Sequence, residues 1–134
     1  MADKKIFLTV KAPKPVGPYS QAVIHNGVMY VSGQIPLDPQ TGQLVRGTIE
    51  DETEAALNNL RAIVEDAGAT MEDVLRVSCY LVDMADFPRF NAVYAGYFTA
   101  NPPARSTFQA AQLPLDVQVE VDAIVAVPEK KNQK

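Results

Sequence analysis

The chain has 134 residues and a mass of 14.6 kDa, which suits one domain with a core large enough to fold without disulfides. Hydrophobic residues make up 47% and charged residues 21%, close to the averages of soluble globular proteins, and this excludes a disordered chain. All seven lysines lie in residues 1–14 and 130–134, whereas the body between Pro15 and Pro128 has five arginines against fourteen acidic side chains. Because such a body repels phosphates, nucleic acid is disfavoured as the main partner.

No apolar run approaches the roughly 20 residues that cross a bilayer, and the N-terminus lacks the apolar stretch of a secretory signal. The single cysteine, Cys79, cannot form an internal disulfide. It stands in an apolar run, which favours a small core residue over a reactive thiol. We therefore expect a cytoplasmic protein without membrane contact.

The chain opens with a predicted β region. Asn26-Gly27 separates the apolar runs 21–25 and 28–32, and Asn-Gly between such runs is a strong hairpin signal. A short strand from Ile6 to Val10 is expected before the hairpin. A turn over Asp38-Pro-Gln-Thr-Gly42 is expected to end the region.

A helix is predicted from Ile49 to Ala67. Thr48 can cap its start, acidic residues fill its first turn, and Gly68 can end it. The spacing of its apolar residues predicts one buried face, formed by Leu57, Leu60, Val64 and Ala67. The β-branched and aromatic run from Val74 to Val82 predicts a strand.

A second helix is predicted through Phe98, with Asp86 as its cap. Its apolar stripe is Phe90, Val93, Tyr94 and Tyr97, and Asn101-Pro-Pro103 stops it. Strands are predicted at 106–111 and 117–127, with a turn over 113–116 between them. In the last strand the valines share one face, while the other face carries Gln118, Glu120, Asp122 and Ile124.

This order of elements predicts an α+β domain, residues 1–128, with two helices packed on one face of a mixed sheet. Residues 129–134 are expected to form a polar C-terminal tail. Since two helices cover only one sheet face and the other carries apolar groups such as Ile124, we expect an oligomer.

The usual catalytic sites are excluded by composition. One histidine and one cysteine cannot supply the three or four ligands of a zinc site, so no metal is expected. Neither nucleotide-binding glycine motif is present. His25 adjoins the predicted hairpin turn, where a solvated side chain is favoured over a catalytic base.

Arginine and carboxylate chemistry remains. Arg105 follows the restricted segment Asn101-Pro-Pro-Ala104 and could hold a carboxylate through two parallel hydrogen bonds, although the residue pattern alone favours a surface salt bridge. Glu120 and Asp122 share a strand face about 6.6 Å apart. They could perform acid–base catalysis or simply form a polar, solvated face.

Five sequence blocks, in matching order and spacing, resemble the RidA (YjgF-like) family. They are Pro18-Tyr-Ser-Gln-Ala22, Tyr30-Val-Ser-Gly-Gln-Ile35, Asn91-Ala-Val-Tyr94, Pro103-Ala-Arg-Ser106 and Val119-Glu-Val-Asp-Ala-Ile124. The resemblance covers nearly the whole chain. It implies a chorismate-mutase-like fold, a homotrimer with three clefts between subunits, and no cofactor.

The resemblance also implies an activity, the hydrolysis of reactive 2-imino acids such as 2-iminobutanoate and 2-iminopropanoate to 2-keto acids and ammonia. Arg105 then binds the substrate carboxylate, and Glu120 positions the attacking water. Further cleft residues implied by the resemblance are Tyr19, Ser32, Gly33, Phe87, Asn91 and Thr107. Many family members have a cysteine where this chain has Thr107, so an argument based on a reactive thiol there fails.

Two alternatives stay open. A non-catalytic sensor would bind 2-keto acids in the same clefts. An endoribonuclease or translation inhibitor, an activity attributed to some family members, would grip RNA with its lysine-bearing ends, against the acidity of the body.

Overall fold

The computed structural model describes residues 3–128, which fold as one α+β unit. The predicted tail at 129–134 lies outside the described residues. The strands and helices, in chain order, are β1 (Lys5–Phe7), β2 (Ala22–His25), β3 (Val28–Gln34), α1 (Ile49–Asp66), β4 (Val74–Leu81), α2 (Phe87–Tyr97), β5 (Ala104–Gln109) and β6 (Val119–Ala126).

The predicted hairpin is confirmed. β2 and β3 pair antiparallel, with His25 opposite Val28. Asn26 and Gly27 form the turn between them with φ angles of 52° and 77°. Two successive positive φ angles match the right-handed twist of a strand pair, which is why Asn-Gly stands here.

The first helix is also confirmed. The Thr48 hydroxyl caps it by accepting a hydrogen bond from the Asp51 amide, and the Asp51 carboxylate accepts a hydrogen bond from the Thr48 amide. Leu57, Leu60 and Val64 are fully buried against the sheet. Capping and the apolar stripe therefore act on the same segment, as the sequence predicts.

The six strands form one mixed sheet in the order β1-β2-β3-β6-β4-β5. Only the β4–β5 pair is parallel, and every other neighbouring pair is antiparallel. The face that carries Val77, Cys79, Val119 and Val121 packs against both helices and is called the helix face. The opposite face, with Tyr30, Tyr80, Glu120 and Ile124, is called the open face. The predicted arrangement of two helices on one sheet face is confirmed.

Several predicted boundaries are wrong. β1 spans Lys5–Phe7 and not 6–10, because the Thr9 amide donates to the Gln21 side chain (2.8 Å) instead of a strand. β5 begins directly after the prolines at Ala104 and ends at Gln109, whereas 106–111 was expected. β4 and β6 lie within their predicted ranges.

The predicted side-chain cap of α2 is wrong. Asp86 makes no capping hydrogen bond and instead ends a short 3-10 turn, Met84–Asp86. That turn is capped by Asp83, which accepts from the Ala85 amide at 2.9 Å. Because the turn leads directly into α2, the side-chain cap of Asp83 stabilises the start of the whole helical segment. The helix ends at Tyr97, one residue before the predicted end.

The open face carries exposed aromatic side chains. Tyr30 is 49% exposed and Phe108 is 52% exposed, and Phe108 stacks edge-on against Tyr80. A protein of this size normally buries such a face, which favours the predicted oligomer. The oligomer itself stays a prediction. No helix among residues 3–128 is long and apolar enough to cross a membrane.

Candidate functional site

Arg105 is held on the helix face, at the edge of the sheet. β5 pairs in parallel with β4 and sets Arg105 beside Val77, which is fully buried on that face. The Arg105 Nη1 donates a hydrogen bond to the Asn91 side-chain oxygen at 2.8 Å. The Arg105 guanidinium also lies over the rings of Tyr94 (4.7 Å) and Phe87 (5.3 Å). Three residues of α2 therefore fix one cation.

The Arg105 cation has no anionic partner in the described part of the chain, where no carboxylate lies within salt-bridge distance of it. The surface salt bridge considered from sequence is thus not formed within residues 3–128. A guanidinium has five N–H donors, and the amide oxygen of Asn91 engages only one nitrogen. The remaining donors can hold the two oxygens of a carboxylate.

The environment of Arg105 includes two hydroxyls without a hydrogen-bond partner among the described residues. They belong to Thr107 and to Tyr94, whose side chain is 7% exposed. Thr107 is the register partner of Cys79. Cys79 is fully buried, and burial raises the pKa of its thiol to about 12, so its prediction as a core residue is confirmed.

Glu120 projects from the open face instead. It pairs with Tyr80 across β4 and alternates with buried Val119 and Val121. Gly33 faces its carboxylate so closely that a methyl group at that position would overlap the Glu120 oxygens. The glycine therefore makes room for the glutamate, at the point where the β3–β6 register shifts.

Burial raises the pKa of Glu120, and the neighbouring charge of Asp122 raises it further. Asp122 itself accepts a hydrogen bond from the Tyr80 hydroxyl at 3.0 Å. The two carboxylates considered as an acid–base pair thus differ in setting: the Asp122 carboxylate accepts a hydrogen bond from a phenol, whereas the Glu120 carboxylate borders the space beside Gly33. A base with a raised pKa suits proton transfer near neutral pH.

A cavity of about 640 Å³ opens next to Glu120. Ser32 and Gly33 line it on one side, and Tyr19 lines it from the loop before β2. Gln21, which is 2% exposed, clamps that loop: its side chain bonds the backbone of Thr9 (2.8 and 3.2 Å) and Pro13 (2.9 Å). Gln21 lies within one of the family blocks, but the sequence does not indicate this supporting role.

The predicted site residues therefore fall into two sets. The arginine group comprises Phe87, Asn91, Arg105 and Thr107, to which the structure adds Tyr94. The glutamate group comprises Tyr19, Ser32, Gly33 and Glu120.

Within one chain the two groups do not meet. Arg105 pairs with Val77 and Glu120 with Tyr80, three residues apart on β4. Side chains an odd number of residues apart on a strand point to opposite faces. The sequence pattern located Glu120 opposite the valines, but it gave no face for Arg105, because the start of β5 was misplaced.

A metal centre is not formed by the described residues: no group of three or more histidine, cysteine, aspartate or glutamate side chains could hold an ion there. The polar groups of the two sets are the Arg105 guanidinium, the Asn91 amide, the Glu120 carboxylate and several hydroxyls. They can bind an anion and direct a water molecule.

Comparison with known proteins identifies the family of the chain. The sequence model described as Endoribonuclease L-PSP matches residues 9–127, nearly the whole described chain. The chain belongs to this family. It is the RidA (YjgF-like) family, so the sequence resemblance is confirmed.

Relatives within the Endoribonuclease L-PSP family carry different names. A RutC family protein of Pyrococcus abyssi is 46% identical and covers 90% of this chain and 95% of its own. A protein of Dermatophagoides farinae named 2-iminobutanoate/2-iminopropanoate deaminase is 42% identical and covers 95% and 99%. The crystal structure of Escherichia coli TdcF with bound serine is 38% identical, covers 91% and 98%, and has a TM-score of 0.87.

Proposed function

We propose that the protein is a hydrolytic deaminase that converts small 2-imino acids, such as 2-iminobutanoate and 2-iminopropanoate, to 2-keto acids and ammonia. The observation that carries the proposal is the Arg105 guanidinium, held by Asn91 and two aromatic rings with donors to spare. A related protein named as such a deaminase supports the reaction. A relative with bound serine supports a small carboxylate-bearing ligand.

The chemistry requires three tasks. Arg105 holds the carboxylate of the substrate and so fixes the adjacent C=N carbon. Glu120 accepts a proton from water while the water oxygen forms a bond to that carbon of the protonated imine. Protonated Glu120 then returns its proton to the nitrogen of the resulting carbinolamine. The C–N bond breaks, the hydroxyl proton passes to Glu120 as the C=O bond forms, and Glu120 regains its charge when the released ammonia leaves as ammonium. Water is the only co-reactant.

The raised pKa of Glu120 makes its ionised carboxylate a better base than that of an ordinary glutamate. A positioned base contributes roughly 10²- to 10⁴-fold to the rate. That is enough to shorten the lifetime of an intermediate that already decays in water, which suits a protein that removes reactive intermediates in the cytoplasm.

The site is completed in this proposal by a second copy of the chain. We expect a homotrimer in which the arginine group of one subunit faces the glutamate group of the next across a cleft. Two observations favour it: the groups lie on opposite faces of one sheet, and the open face exposes Tyr30 and Phe108. A head-to-tail ring brings opposite faces of neighbouring copies together.

Ammonia release from freshly generated 2-iminobutanoate tests the activity. Wild-type protein should accelerate the release above the buffer rate, and Glu120→Gln and Arg105→Ala should each abolish the acceleration. Glu72→Gln, an exposed glutamate in a turn after α1, is the matched control and should leave the rate unchanged. Wild-type protein that does not exceed the buffer rate contradicts the proposal.

The same proteins separate the alternatives. A sensor would bind 2-ketobutyrate without releasing ammonia. An endoribonuclease would cleave RNA with a rate that falls steeply as salt rises, whereas imine hydrolysis should depend little on salt.

A further inference from the structure

The loop between β5 and β6 has an unusual backbone. Leu115 and Asp116 both have φ angles of 57°, in the left-handed region. Side chains other than glycine enter this region at a cost of roughly 1–2 kcal/mol per residue. Two neighbouring residues in this conformation persist only where the surroundings enforce it, and such strain is concentrated at functional sites.

Arg46 enforces the loop conformation from far along the chain. Its guanidinium donates to the carbonyl oxygen of Leu115 at 2.9 Å and to that of Asp116 at 3.5 Å. The Gln112 side chain adds a hydrogen bond to the Asp116 carboxylate at 2.8 Å. The loop is therefore held by side chains from two separate segments.

The loop is also anchored at both ends. Leu113 is 7% exposed and Val117 is 1% exposed, so each fixes one end in the interior. Between them the Leu115 side chain is driven outward and is 61% exposed. It lines the same cavity as Glu120. An exposed leucine on a strained loop beside a candidate catalytic group indicates a binding role for its side chain.

We propose that Leu115 forms the wall against which the substrate side chain packs, and that the protein prefers 2-imino acids with branched aliphatic side chains to those with one or two carbons. This inference rests on the proposed function and defines its substrate class.

The rest of the cavity favours the same class. Its lining includes Val16, Leu37 and Pro114, together with the ring of Tyr19. The opening of about 640 Å³ belongs to a single chain and is shared with the neighbouring copy in the proposed trimer, so the preference is carried by this apolar lining and not by the volume. Each methylene that leaves water for such a surface strengthens binding roughly fourfold.

Calorimetric binding of the product 2-keto acids tests the preference without requiring catalysis. For the wild-type protein we expect 4-methyl-2-oxopentanoate to bind roughly tenfold more tightly than 2-ketobutyrate, and pyruvate to bind most weakly. Equal dissociation constants for the three acids would overturn the inference.

Variants test whether the Leu115 loop causes the preference for the longer 2-keto acid. Leu115→Ala keeps a non-glycine residue at the strained position but removes the apolar side chain. The tighter binding of 4-methyl-2-oxopentanoate should therefore be mostly lost, while the dissociation constant of pyruvate changes less than about twofold. Leu115→Met, which restores an apolar side chain, should recover the advantage. Arg46→Gln should reduce it, because the loop loses its two carbonyl hydrogen bonds. Leu8→Ala, at a leucine that is 62% exposed outside the cavity lining, should leave all three constants unchanged.

The outcomes separate this inference from the proposed function. If Leu115→Ala weakens the three acids equally, Leu115 is not a specificity wall and the inference fails. If the acids bind with the expected order but no imine is hydrolysed, the inference stands and the catalytic proposal fails. If none of the acids binds, both are overturned, because each depends on a carboxylate held beside the Glu120 cavity.

Discussion

Mixing two inactive variants tests whether the arginine group and the glutamate group of one site come from different subunits. Arg105→Ala retains an intact glutamate group, and Glu120→Gln retains an intact arginine group. Their register partners on β4 lie three residues apart, roughly 10 Å along the strand, and face opposite ways. One Arg105 side chain therefore cannot reach the Glu120 of its own chain through the sheet.

The expected recovery follows from random assembly. In a ring formed from equal amounts of both variants, about one quarter of the interfaces join an intact arginine group to an intact glutamate group. Each such interface is a complete site, so the mixture should show about one quarter of the wild-type ammonia release. Sites built within one chain would recover nothing, since every chain carries one of the two substitutions.

The assay needs true mixed oligomers, made by refolding the two variants together and checked by native mass spectrometry, which should also give about three times the chain mass of 14.6 kDa. Each variant refolded alone is the control for residual activity. At the same total chain concentration, wild-type protein refolded with an equal amount of the double variant should show about one quarter of the activity of pure wild-type protein if the site is shared, and about one half if it is not. Mixed oligomers without recovered activity would refute the shared site.

Three further predictions concern the glutamate group and its support. Because the pKa of Glu120 is raised and the base must be ionised, hydrolysis should fall on acidification at a higher pH than an ordinary glutamate requires. Asp122→Asn removes a charge that raises this pKa, so the acid limb of the pH–rate profile should move to lower pH; an unmoved limb contradicts the assignment. Gly33→Ala should displace the Glu120 carboxylate and reduce kcat/KM at least about tenfold, whereas Gly96→Ala, with open space around it, should not. Glu52→Ala leaves the Gln118 backbone amide without its acceptor and removes one of the two acceptors of the Gln118 side-chain amide, so it should cost roughly 1–3 kcal/mol in urea unfolding; a loss below about 0.5 kcal/mol would contradict a structural role.

The local elements could be predicted because their signals are local. Asn26-Gly27 can adopt two positive φ angles in succession, and Thr48 can bond an amide three residues on, so the hairpin and the start of α1 follow from short segments. The alternation of valines in β6 likewise identified which of its side chains face the helices. The resemblance to the family then predicted the members of both site groups except Tyr94, which the structure adds.

The arrangement of the site could not be predicted in the same way. The cap of α2 moved to Asp83, and the strained pair at Leu115 and Asp116 depends on an arginine about seventy residues earlier in the chain. No local pattern reports such a contact. Gln21 is similar, since its role is visible only once the loop before β2 folds back on its side chain.

The amino-acid sequence by itself predicted the order of the elements, the buried valine face and the candidate residues for binding an anion and activating water. Only the tertiary structure decided that Arg105 and Glu120 stand on opposite faces of one sheet. The physical reason is that successive side chains of a strand point to opposite faces of the sheet. The face of Arg105 therefore depends on the register of β5 against β4, and that register is set by contacts between segments distant in the chain.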